Sequence, residues 1–115
     1  MSDLAVSEIR PHDRVLHIAV LKRVLDEDST QELVDNVLLA AGERLGVPIV
    51  LDLAGVKFAP SVALGALVQL TKSFTFEKRR IALVNVDRKI MGTIRVTQLD
   101  RLLEIHNNID SVAGK

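Results

Sequence analysis

Leu51-Asp52-Leu53-Ala54-Gly55-Val56-Lys57-Phe58-Ala59-Pro60-Ser61-Val62-Ala63-Leu64-Gly65-Ala66-Leu67 is the stretch that decides how this chain folds. It begins by closing an apolar run, Val47 to Leu53 (VPIVLDL), whose continuity suits a central strand covered on both faces. A short loop with Gly55 follows, in which Phe58 is expected to fold back onto the core. Pro60-Ser61 then opens an apolar helix running to about Phe76. Proline is tolerated at the first helical position and serine is a favoured cap. Ile81 to Val86 (IALVNV) is a second buried run. Strand, helix, strand at these lengths is a βαβ crossover, which implies parallel pairing and a right-handed connection. In open α/β sheets ligands bind beyond the carboxyl ends of parallel strands. Ser61 is expected to stand at that mouth.

Upstream, Arg14 to Val20 (RVLHIAV) alternates. Leu16, Ile18 and Val20 form the more apolar set, so one face of this strand is expected to be buried. Leu4 to Ile9 is a weaker strand, and Pro11-His12-Asp13 supplies the turn of a hairpin between them. Asp28 to Glu32 opens a helix, with Ser29 and Glu32 at capping-box spacing. Leu33, Val34, Val37, Leu38, Ala41 and Leu45 recur at helical spacing, and Gly46 with Pro48 marks the stop. Downstream, Asp87 can cap a helix carrying Ile90, Met91 and Ile94. A strand near Glu104 to His106 and a helical turn from Asn108 complete the chain. The pattern predicts one domain, 1–115, of α/β class. It is a sandwich with a mixed sheet: an antiparallel hairpin first, parallel βαβ units after it, and about four helices.

Composition removes several functions. The 115 residues carry 15 Lys+Arg and 15 Asp+Glu, so there is no basic excess for nucleic acid. The only aromatics are Phe58, Phe74 and Phe76, too few for a base-stacking platform. Glu77-Lys78-Arg79-Arg80, the densest charge run, reads as a solvated loop between helix and strand. The absence of cysteine removes disulfides, thiolate ligands and a thiol nucleophile. No secretory signal is visible, and the longest apolar stretch, Val62 to Val68, is too short for a bilayer. A cytoplasmic protein without direct membrane insertion is expected.

No catalytic constellation emerges. His12, His17 and His106 have no ligand spacing and read as satisfied or solvated side chains. Asp26, Glu27 and Asp28 suit a helix N-terminus better than a metal. Neither a metal nor a cofactor is implied. There is no GxSxG elbow, GxGxxG or P-loop. A small flavodoxin-like enzyme would need a convergent polar pocket for which no motif speaks.

The quoted stretch resembles the signature of STAS domains, the fold of sulfate-transporter tails and anti-sigma factor antagonists. Asp52, Leu53, Val56, Phe58, Ser61, Leu64 and Gly65 match it, and Leu99 to Ile105 (LDRLLEI) is similar to the family's closing segment. Pro60 stands where an acid is usual, Val62 replaces a second serine, and Ala63 a glycine. The resemblance implies a non-catalytic regulatory module that docks to an anti-sigma factor with serine-kinase activity. Ser61 would then be the phosphoacceptor as well as a cap. Its docking surface would comprise Asp26, Asp28 and Ser29; Gly55, Lys57, Ala59, Pro60 and Val62; and Gly92 with Thr93 at a helix start. The family also contains constitutive STAS subunits of membrane transport complexes, including lipid transport, which is the alternative. Weak homodimerisation is compatible with either.

Overall fold

The two continuous apolar runs become the centre of a five-stranded sheet. The computed structural model describes residues 5–114. The strands are β1 (Ser7–Arg10), β2 (Leu16–Val20), β3 (Ile49–Asp52), β4 (Ile81–Val84) and β5 (Ile105–His106), in spatial order β1-β2-β3-β4-β5. β1 and β2 pair antiparallel, with Ile9 opposite Ile18. The remaining pairs are parallel. The expected mixed sheet is therefore present. Leu4, where the weak first strand was expected to begin, lies outside the described residues.

Three helices connect the strands, α1 (Glu27–Glu43), α2 (Ser61–Phe76) and α3 (Arg88–Val96), and α4 (Ile109–Ala113) follows β5. Leu16, Ile18, Leu51 and Leu83 pack on one face with Leu33 and Val37 of α1, Leu64 and Leu67 of α2 and Ile94 of α3. All of β3 and β4 is buried, as continuous apolarity requires. β2 differs from its expected pattern. Its second face is also covered, with Val15 and Ala19 buried. The cause is α4, whose Val112 packs with Val15, Val50, Ala82 and Val84.

Helix ends are set by contacts that spacing alone misplaces. Asp26, not Ser29, is the N-cap of α1. Its Oδ1 accepts 2.8 Å bonds from both the backbone N–H and the hydroxyl of Ser29. The cap thus sits one turn earlier than the Ser29–Glu32 pair predicts. Leu45 falls outside α1 and is exposed. The end of α1 is gripped from a distance: the Arg79 guanidinium donates to the carbonyls of Ala41 (2.7 Å), Arg44 and Val47 (3.2 Å). The predicted solvated run is therefore partly structural, and Arg80 pairs with the Glu104 carboxylate. Just before them, Lys78 takes φ 62° and closes α2. The N–H of Arg79 reaches Phe74 O (2.8 Å) and that of Lys78 reaches Thr75 O (2.9 Å), a Schellman closure.

Candidate functional site

The mouth beyond β3 is organised by Asp52, which is only 8% exposed. Its Oδ1 accepts from the Ala54 N–H (3.0 Å) and from Asn85 Nδ2 (3.0 Å). Its Oδ2 lies 2.9 Å from His17 Nε2. One carboxylate thus joins β2, the end of β4 and the loop leaving β3. Burial opposes its ionisation, but the bonds from Asn85, His17 and Ala54 outweigh burial and hold its pKa below the ordinary carboxyl value. Asn85 adopts φ 58°, a left-handed conformation that asparagine tolerates. The sequence reading passed over this residue, although an Asn directly after a buried strand is a recognisable signal.

Two loops are stapled together above this knot. Leu25 N–H donates to Phe58 O (3.0 Å), while the N–H groups of Lys57 and Phe58 donate to Arg23 O (2.7 and 3.0 Å). A bridge pairs Val24 with Phe58. The approach to α1 and the approach to α2 are therefore joined through their backbones, Arg23 to Leu25 on one side and Lys57 with Phe58 on the other. Asp26 Oδ1 is occupied by capping, and the Ser29 N–H and hydroxyl bonds hold its carboxyl below the ordinary range. Of the expected docking residues, Ser29 and Ala59 are buried beneath the surface. Gly55 is exposed, and a Cβ there would lie 3.6 Å from Val20 O, an ordinary contact.

Phe58 does not fold back onto the core. It is 57% exposed, because the bridge to Val24 fixes its backbone along the rim. Val62 is 67% exposed, and Leu21 and Val24 are exposed as well. These apolar side chains on and near the stapled loops were not anticipated, except for Val62.

Ser61 is the first residue of α2 and exposed. The N-cap is Pro60 (φ −68°, ψ 165°), and no side chain caps this helix. Among the described residues the Ser61 hydroxyl makes no hydrogen bond, so the expected capping role is corrected. Proline occupies the boundary and offers no acceptor, while Ser61 is already within the first turn. Gly92 and Thr93 are corrected too: they lie in the middle of α3, with the Thr93 hydroxyl donating to Lys89 O at 3.4 Å. The start of α3 is Asp87, whose Oδ2 accepts from the Lys89 N–H (3.0 Å). Its Oδ1 lies 3.7 Å from Lys57 Nζ, so Asp87 rather than Gly92 ties α3 to the 54–60 loop.

Ser61 has no base bonded to it, whereas an activated nucleophile needs one within hydrogen-bond reach. His17 is engaged by Asp52, and His106 by Glu104 at 2.7 Å. Among the described residues no cluster of three or more His, Cys, Asp or Glu could hold a metal, and no helix is long and apolar enough to cross a membrane.

The model of the STAS domain matches residues 8–112. The chain belongs to the STAS domain family. No curated protein sequence matches this STAS domain closely. Among solved structures it is similar to an anti-sigma-factor antagonist (STAS) domain protein from Planctomyces limnophilus, with TM-score 0.79, 19% identity, and 96% and 97% of the two chains covered. It is also similar to the anti-sigma factor antagonist SpoIIAA in its unphosphorylated form (TM-score 0.73, 14% identity, 95% and 97% covered). A murine anion transporter, Solute Carrier 26 family member A9, matches over 86% of this chain and 17% of its own (TM-score 0.72, 16% identity). At such identities the likeness is one of fold.

Proposed function

We propose that this STAS domain is a non-catalytic, cytoplasmic regulatory module that binds an anti-sigma factor with serine-kinase activity, and that phosphorylation of Ser61 ends the binding. One observation carries the reading: the Ser61 hydroxyl stands exposed and makes no hydrogen bond among the described residues, next to the exposed Val62 and at the end of a loop that backbone bonds staple to the approach to α1. Val24, Phe58 and Val62 supply the contact area, and Asp26, Asp28 and Lys57 supply the polar border. Gly55, Ala59 and Pro60 shape the loop. A phosphate at Ser61 adds nearly two negative charges where a docked partner excludes water. At the start of α2 the same charge meets the positive end of the helix dipole, so the domain itself tolerates it.

Co-purification with the cognate kinase tests the reading. Ser61→Asp should weaken binding about a hundredfold while leaving the fold intact. Ser61→Ala should bind and should not accept phosphate. Equal binding by Ser61→Asp defeats the switch, and labelling of Ser61→Ala defeats the acceptor assignment.

Pro60 in place of the usual acid supports a second reading, a constitutive STAS subunit of a membrane transport complex. A neighbouring transporter ATPase gene, co-purification with that ATPase, and unmodified Ser61 in native protein would favour it.

A further inference from the structure

We propose that β1 is the seam of a homodimer, in which two copies pair their β1 strands antiparallel about Ile9. β1 is an edge strand, with β2 its single neighbour in the sheet. Its hydrogen-bonding phase follows from one contact. Leu21 N–H donates to Val6 O at 2.7 Å, so Val6 and Leu21 form a hydrogen-bonded pair. The register then makes Glu8–Ala19 and Arg10–His17 hydrogen-bonded pairs, and Ser7–Val20 and Ile9–Ile18 non-bonded ones. The N–H and C=O of Ile9 consequently point away from β2, toward the open edge.

A second β1 meets that edge in a self-complementary way. Pairing Ile9 with the partner's Ile9 lets each N–H donate to the opposite carbonyl. The same register sets Glu8 opposite the partner's Arg10, and Arg10 opposite the partner's Glu8. Opposite charges at directly opposed strand positions stabilise pairing. Within the protomer Arg10 Nε donates to Glu8 Oε2 at 2.8 Å, and both side chains are about half exposed, so pairing across the seam exchanges this partner for the one on the second copy. On the other face, Ile9 is 56% exposed and Leu39 of α1 is 69% exposed. They border a groove of about 300 Å³ between β1 and α1. The two-fold axis joins the two grooves into one apolar trough along the seam. The chain's zero net charge adds no long-range repulsion between copies. Reversing the strand exchanges the two charges around Ile9, so each charge of one copy meets its opposite on the other, which is what favours a second copy over an unrelated strand.

Sedimentation equilibrium across a concentration series tests this on the full chain, with circular dichroism as a fold control. Wild type should self-associate reversibly to a dimer. Ile9→Pro removes an N–H that makes no bond within the protomer, so it should keep the fold and give a monomer. Arg10→Glu places like charges opposite each other twice and should weaken the dimer about tenfold. The double variant Glu8→Arg with Arg10→Glu should restore it. A wild type that stays monomeric at every concentration reached overturns the proposal. So does a dimer indifferent to Ile9→Pro, or one weakened by Arg10→Glu and not restored by the double exchange.

Discussion

Asp52 holds three donors on two oxygens while almost fully buried, and removing it leaves all three unpaired. Asp52→Ala should lower stability by about 2–3 kcal/mol, read as a shift in urea midpoint. The pH dependence has a definite sign. A carboxyl whose folded pKa is depressed contributes stability that is complete above its unfolded pKa and is lost as pH falls through the folded value. The gap in midpoint between wild type and Asp52→Asn should therefore be largest near neutrality and shrink below about pH 4. Lys78 invites the opposite change. It holds φ 62° at the end of α2, where a Cβ is strained and glycine is not. Lys78→Gly should raise stability by about 1 kcal/mol in thermal unfolding. Position 78 was not marked by sequence, because a lysine inside a charge run gives no hint of a left-handed backbone. Ser61 was expected to cap α2, and that role failed on one fact: Pro60 takes the boundary position.

At the scale of elements, β3 and β4 were legible because burial on both faces writes itself as unbroken apolarity. The ends of α1 were not. Its start depends on an Asp26–Ser29 bond that competes with an equally good Ser29–Glu32 spacing. Its finish depends on Arg79, a residue beyond the next strand and helix. No local pattern encodes a partner that far along the chain. Arg79→Met should strand three carbonyls, costing about 2–3 kcal/mol. Amide hydrogen exchange should accelerate first in the last turn of α1, while α2 retains its protection. Faster exchange spread evenly over the molecule would contradict a local clasp.

For the molecule as a whole, the sheet has one face under three helices and the other under α4, a helix of five residues. Alternation in β2 suggested that this second face met water, since the covering residues come from the far end of the sequence. Val112 is the buried side chain of α4 in this second cluster, with Ile109 and Ala113 partly buried against it. Val112→Ala should cost about 2 kcal/mol in chemical denaturation, more than an average surface change and comparable to a core truncation. The stapled rim stands at the opposite extreme. Its backbone is fixed by Arg23, Leu25, Lys57 and Phe58 through main-chain groups that any side chain could supply. The Ser61 side chain adds nothing to that scaffold: among the described residues its hydroxyl caps no helix and makes no hydrogen bond. Its codon is therefore nearly free of selection for foldedness. A lineage can acquire or discard a hydroxyl at this point by a single substitution, with the architecture indifferent to the outcome. Regulation in such a protein can evolve on its own clock, separate from the slower history of the core.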